Sequence, residues 1–210
     1  MFNAKESFIN EVNKIKNNDL RTIAETLVEK TPEYFWHNAA SSSGKYHPQC
    51  SLGEGGLVRH SIMTAVIAVD LLTSEVFIED TQYNKDLVIF ISLFHDILKY
   101  GENSTHTEFA HPIMSADFVL ESLPFSNIDE DTAAVIYDAI RSHMGKWNTS
   151  RYCPDTILPT PATALQKLIH VADYISSRKY IGGLDDWGYI SKNNKLTESD
   201  KAITNLLMVN

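Results

Sequence analysis

The run Leu87-Val88-Ile89-Phe90-Ile91-Ser92-Leu93-Phe94 is apolar on nearly every side and leads directly into His95 and Asp96. A helix without a polar face is a buried one, so this segment predicts the centre of a core. A carboxylate at the end of such a helix is costly to desolvate unless something positive meets it. Imidazole and carboxylate are both metal ligands. Lys99 follows Asp96 by three residues and overhangs the same helical face. Metal ligands beside a cation describe a phosphate site.

The remaining chain can build a core around that helix. Its 210 residues are 43 % hydrophobic, an ordinary globular composition that excludes a disordered chain. Helical spacing places Phe8, Val12 and Ile15 together over 4–17, and Leu20, Ile23, Ala24, Leu27 and Val28 over 19–30 behind an Asp19 cap. Thr31-Pro32 restarts a helix that carries Tyr34, Phe35 and Trp36 as far as Ala40. The stretch 41–56, with Ser41-Ser42-Ser43-Gly44-Lys45-Tyr46-His47 and three more glycines, has loop composition. It lacks the P-loop spacing, although a Ser-rich turn can cradle an oxyanion. A helix over about 57–74 turns Leu57, Ile67 and Leu71 inward, with His60 in phase. The polar residues 73–85 read as a loop, and the central helix spans about 86–99 with Gly101 as its stop.

Three more helices follow: 112–123 behind His111-Pro112, 129–143 behind an acidic start at Asp129, and 161–180 with Thr160 as cap and Pro161 as first residue. No alternating strand pattern and no internal repeat is visible, so the fold class is all-α. Residues 1–51 form an N-terminal helical extension and Ser-rich loop packed on the core. Residues 52–183 form the core domain, and 184–210 form a C-terminal tail with a last amphipathic stretch at Ile203, Leu206 and Leu207.

The net charge of −9 and the absence of a Lys/Arg run argue against bulk attraction to duplex nucleic acid. Cys50 and Cys153 make no metal-type pair and no disulfide framework, which fits a reducing compartment. The N-terminus lacks the apolar core of a signal peptide, and no apolar run is long enough to span a bilayer, so a cytoplasmic protein with no membrane partner is expected.

Six polar residues fall on inner helix faces or at helix ends: His60, His95, Asp96, His111, His143 and Asp173. Singly, each has an ordinary explanation, His60 as a core histidine or His111 as a cap. Together they would need six separate compensations in one small core. Four imidazoles and two carboxylates can instead hold two divalent metals about 3.5–4 Å apart with Asp96 bridging. Mixed nitrogen and oxygen ligation suits Mn, Fe, Co, Ni or Zn. His170, three before Asp173, reads equally as an orienting group or a structural one.

The ordered strings Gly55-Gly56-Leu57-Val58-Arg59-His60-Ser61, Leu93-Phe94-His95-Asp96-Ile97-Leu98-Lys99, Ser142-His143-Met144-Gly145-Lys146 and Leu168-Ile169-His170-Val171-Ala172-Asp173 resemble the HD-domain metal-dependent phosphohydrolases. The resemblance implies a helical HD bundle with His60, His95, Asp96 and Asp173 as ligands of a first metal. His111 and His143 match the extra histidines of two-metal members. The Gly-Gly-Leu-x-x-His and Ser-His-x-Gly-Lys strings are similar to the HD portion of a 3′→5′ exoribonuclease group, whose added OB domain has no candidate segment here. The histidine set also resembles dinucleoside-tetraphosphate hydrolases of the HD class. Leu98 stands where the usual motif has Gly.

These features imply hydrolysis of a phosphate ester or anhydride of a nucleotide by a metal-activated water. Asp96, Lys99 and Asp173 are the catalytic candidates. Lys45, Tyr46, His47, Lys99 and Lys146 are candidates for phosphate or base contact, and Tyr46, Trp147, Tyr152 and Trp187 for stacking. A small nucleotide is the expected substrate. Two alternatives stay open: a phosphodiesterase on short single-stranded nucleic acid, and a nucleotide-binding regulator without turnover. A homo-oligomer is compatible with either.

Overall fold

The computed structural model describes residues 2–101, 105–123 and 127–182. Among these the regular structure is helical, as the hydrophobic spacing predicts, and no strand forms beyond an isolated bridge between Ser150 and Cys153. In chain order the helices are α1 (Ala4–Val12), α2 (Asn18–Lys30), α3 (Glu33–His37), α4 (Gly56–Thr73), α5 (Gln82–Phe94), α6 (His111–Leu120), α7 (Glu130–Arg141) and α8 (Ala164–Ser176). The tail at 184–210, with Trp187 and its amphipathic stretch, lies outside the described residues.

Helix α5 is the central element. Every residue from Asp86 to Phe94 is buried, because α4, α7, α8 and the N-terminal helices surround it. Helix α4 packs along α5 on one side and α8 on the other. The inner face of α4 differs from the expected one. Ile67 and Leu71 are half-buried, while Ser61, Thr64, Ala65, Ala68 and Leu72 face the core. Small side chains occupy the close approaches, and the larger aliphatic ones cover the flanks. By length and composition α4 could also cross a membrane, contrary to the expectation that no run would qualify; half of it is buried inside the bundle. A core helix is apolar for the same reason a membrane span is.

Several boundaries are set by caps that hydrophobic spacing does not reveal. The cap of α2 is Asn17, whose side chain accepts from Leu20 N, and Asp19 sits in the first turn instead. Thr163, with Gln166 reaching back in a capping box, starts α8; Thr160 and Pro161 precede it. Thr81 caps α5, which begins at Gln82, four residues before the expected point. Helix α1 stops at Val12, yet Ile15 remains fully buried in the turn that follows. That turn is held by Asp86. Its carboxylate is buried and accepts from the backbone N–H of Lys16 (3.0 Å) and of Asn17 (2.7 Å) and from the Gln82 amide (2.8 Å).

Phe8 joins the N-terminal helices to the core. Its ring meets Phe35, Trp36 and Phe94 edge-to-face at centroid distances of 5.4–5.6 Å. The loop between α3 and α4 folds back on the start of α4. Ser51 O accepts from Ala40 N, Asn38 O from Leu57 N and His37 O from Gly55 N. Gly56 is required at this crossing, because a Cβ there would overlap the Ser51 carbonyl. Arg59, one turn further, donates to the carbonyls of Cys50, Leu52 and Glu54 and fixes the loop that carries Tyr46 and His47.

Candidate metal centre

Six ligand-type side chains arrive at one point from five segments. His60 projects from the second turn of α4. His95 is the C-cap of α5, and Asp96 follows it. The chain does not stay α-helical to Lys99 as the spacing suggests. Past Phe94 it tightens into i→i+3 bonded turns, with Ile97 N to Phe94 O, Lys99 N to Asp96 O and Gly101 N to Leu98 O. The freed Leu98 N–H is taken by Ser115 Oγ of α6 at 3.1 Å. His111 opens α6, His143 lies just past α7, and Asp173 comes from α8.

Asp96 divides the cluster. Its Oδ2 is 3.4 Å from Nε2 of both His60 and His95, and its Oδ1 is 3.1 Å from His111 Nε2 and 3.5 Å from His143 Nε2. Asp173 Oδ1 closes the first group, 3.1 Å from His60 Nε2 and 3.5 Å from His95 Nε2. Nε2 of His111 and of His143 are 3.3 Å apart. Two overlapping sets of donors, His60, His95 and Asp173, and His95, Asp96 and His143, are each close enough to hold an ion, and the single free nitrogen of His95 serves one at a time.

The other ring nitrogen of each histidine is anchored elsewhere. Nδ1 lies 2.7 Å from Ser92 O in His95, 2.6 Å from Glu108 O in His111 and 2.7 Å from Ile140 O in His143. In His60 it lies 3.2 Å from Ser176 Oγ. A backbone carbonyl can only accept, so Nδ1 carries the proton and the Nε2 lone pair points into the cluster. This is the tautomer a divalent cation requires. Nε2 of His60 and His95 and Oδ1 of Asp96 are buried and make no hydrogen bond. Buried polar atoms without partners are rare, and here they converge, which fits a bound cation.

The charges agree with that fit. Burial pushes the Asp96 carboxyl up, but Lys99 and His95, together with His111 and His143 beside its other oxygen, outweigh it and hold it well below the usual carboxylate range. Asp173 is also held low, by His60 and His95 against the cost of burial. Without a metal, His95 takes the cation's place: burial works against its charged form, yet Asp96 and Asp173 raise it to about 10. Burial pushes His143 down to about 4, with the charge of His95 adding to it and Asp96 and Asp173 offsetting only part. Lys99 is 8 % exposed, with Nζ 2.5 Å from Asp96 Oδ2.

A cavity of about 420 Å³ opens beside the cluster, lined by His47, Lys99, His111 and Asp173 and by Tyr46, Met144, Trp147, Tyr174 and Arg178. Of the expected contact residues, Tyr46, His47 and Lys99 line it. Lys45 and Lys146 do not: both are exposed and lie over the rings of Tyr46 (5.0 Å) and Trp147 (4.9 Å). Tyr152 is also away from it, 78 % exposed beside Arg151. His47 is the unusual member. Both its ring nitrogens are buried without a hydrogen bond, its ring is 5.2 Å from that of His60, and burial pushes its pKa down to about 3. His170 has a structural part, with Nδ1 bonded to His143 O at 2.7 Å. Gly145, at φ +60, leaves the space its ring fills. Sequence spacing missed Ser176, Tyr174 and Arg178. The last two follow Asp173 by one and five residues on α8 and just beyond it, and only the placement of Asp173 in the cavity marks them.

A family model described as the HD domain matches residues 57–178, more than half of the chain, and those limits enclose all six cluster residues. No curated protein and no solved structure matches the chain.

Proposed function

The chain belongs to the HD-domain family of metal-dependent phosphohydrolases, and from that premise we propose that it cleaves a phosphate ester or anhydride of a small nucleotide at a two-metal centre. His60, His95, Asp96 and Asp173 would hold one ion, and His111 and His143, with the second oxygen of Asp96, the other. Their mixed nitrogen and oxygen set suits Mn, Fe, Co, Ni or Zn. Such ions, when bound, supply Lewis acidity and a water acidified toward neutrality.

The chain's own groups do the rest. The Nδ1 anchors keep the four imidazoles aimed, with Nε2 toward the cluster. Lys99, buried beside Asp96, directs its ammonium toward the space where non-bridging phosphate oxygens gather charge, and offsets it. Asp173 lines the cavity and orients the attacking water in line with the leaving oxygen. His47 covers the His60 side of the cavity and keeps bulk water from that wall.

The observation that carries this reading is the division of Asp96, one oxygen toward each histidine group. Asp96→Ala should stay folded by circular dichroism, lose bound metal by elemental analysis and lose hydrolysis. An active, metal-free Asp96→Ala protein ends the proposal. A panel of nucleotides and short oligonucleotides assayed with Mn²⁺ reads out the bond cleaved. Inorganic phosphate or pyrophosphate supports the small-nucleotide reading. Mononucleotides released from an oligomer indicate a phosphodiesterase, and tight binding without release indicates a regulator.

A further inference from the structure

Building on that hydrolase reading, we propose that Tyr46, Trp147, Tyr174 and Arg178 form a seat for one nucleobase, which recognises the face of a planar heteroaromatic ring while its phosphate lies at the metal centre. The four groups touch in a row. Trp147 and Tyr174 are stacked, with centroids 5.4 Å apart and planes 12° from parallel. The Arg178 guanidinium lies over Tyr174 at 4.5 Å and over Tyr46 at 5.2 Å. All four line the same cavity as Lys99, His111 and Asp173.

Each member is tied by a short piece of chain to a residue of the cluster or its wall. Tyr174 adjoins Asp173, Trp147 follows His143 by four residues, and Tyr46 adjoins His47. The distance between ring seat and phosphate seat is therefore set by short pieces of chain: helix α8, the turn after α7 and the loop that Arg59 fixes. The rings are also left open. Tyr46, Trp147 and Tyr174 are 53, 42 and 37 % exposed, although a row of contiguous aromatic surface is normally covered. Arg178 is held flat by its hydrogen bond to Ser177 Oγ at 2.8 Å, so the guanidinium adds a planar cationic face to the row. The cavity, about 420 Å³, lies near the lower end of the range for small-molecule sites (roughly 300–1,000 Å³) and accommodates a single nucleotide unit. Stacking reads the face of a base, which all bases share, so purines and pyrimidines should be accepted alike.

The test is equilibrium binding to the full Mn²⁺-loaded chain, comparing adenosine 5′-monophosphate, uridine 5′-monophosphate and ribose 5-phosphate. Both nucleotides should bind at least about ten-fold more tightly than ribose 5-phosphate, the scale of one stacked base. Trp147→Ala and, separately, Tyr46→Ala should remove most of that advantage, with ribose 5-phosphate affinity and metal content changed less than about two-fold. Trp147→Phe should restore it. Equal affinity for all three ligands in the unaltered protein overturns the proposal. So does a Trp147→Ala protein that weakens all three alike, or Tyr46 and Trp147 variants that both keep the full preference. Hydrolysis of both phosphate classes without ring preference would sink the base seat alone. Ring preference without hydrolysis of any phosphate would sink the hydrolase reading and leave the seat standing.

Discussion

Ser176 Oγ stands 3.2 Å from His60 Nδ1, although 116 residues of chain separate them. The hydroxyl donates to Asp173 O at 2.8 Å, so its lone pair takes the proton of His60 and leaves Nε2 free to face Asp96 and Asp173. Ser176 is fully buried, and Thr64 Oγ1 packs 2.9 Å from it. One serine thus sets the tautomer of a residue on α4 and steadies the α8 turn that presents Asp173. Ser176→Ala should keep the fold and weaken metal binding by about 10–100-fold, the usual loss when a ligand's outer partner is removed. Isothermal titration with Mn²⁺ measures it, and an unchanged Kd refutes the assignment.

Lys99 competes with a cation for Asp96. Its ammonium is 2.5 Å from Oδ2, the oxygen that faces His60 and His95. Lys99→Met should therefore retain metal, with equal or tighter affinity, and lose about 10²–10³ in kcat, as when one donor to a developing oxyanion is removed. Metal content and steady-state rates on the same preparation separate the two effects. A variant that loses metal and rate together would assign Lys99 to the fold.

The histidines predict a stability maximum near pH 6.5 for the metal-free protein. His47 and His143 are lowered to about 3 and about 4, so between pH 4 and 6.5 the unfolded chain binds protons that the folded one refuses, and stability rises with pH. His95 is raised to about 10, so its contribution is complete below pH 6.5 and drains away as pH climbs toward 10. Tm followed by circular dichroism from pH 4 to 10 should rise and then fall. Metal needs the neutral ring, so excess Mn²⁺ should flatten the alkaline fall, and its binding should release a proton below pH 10. A Tm that climbs steadily to pH 10 without metal would contradict the charged His95.

Asp86 carries stability and no chemistry. Asp86→Ala strands the N–H groups of Lys16 and Asn17 at the α1–α2 turn, and losing hydrogen bonds to a buried charge costs about 2–3 kcal/mol. Urea denaturation should report a loss of that size with the Mn²⁺ Kd unchanged. A loss below about 0.5 kcal/mol would mean that water replaces the carboxylate.

The amino-acid sequence alone determined the helical class, the burial of the segment ending at Phe94 and the identity of the six ligand-type residues. Hydrophobic period and the cost of burying a charge are local properties, and a run such as Leu87 to Phe94 has one low-energy placement. It anticipated a bridging Asp96 but could not show the distances at which its two oxygens meet the histidines, that Asp86 pins the α1–α2 turn, or that Ser176 orients His60. Helix ends went astray for the same reason: the caps at Asn17 and Thr163 depend on a side-chain oxygen reaching one amide, which periodicity does not encode. Two of the three lysines assigned to phosphate or base contact, Lys45 and Lys146, lie out on aromatic rings, since a long cation reaches wherever packing leaves room. Only the tertiary structure decided which side chains meet, because a hydrogen bond fixes atoms to within a few tenths of an ångström and distance along the chain carries no such information.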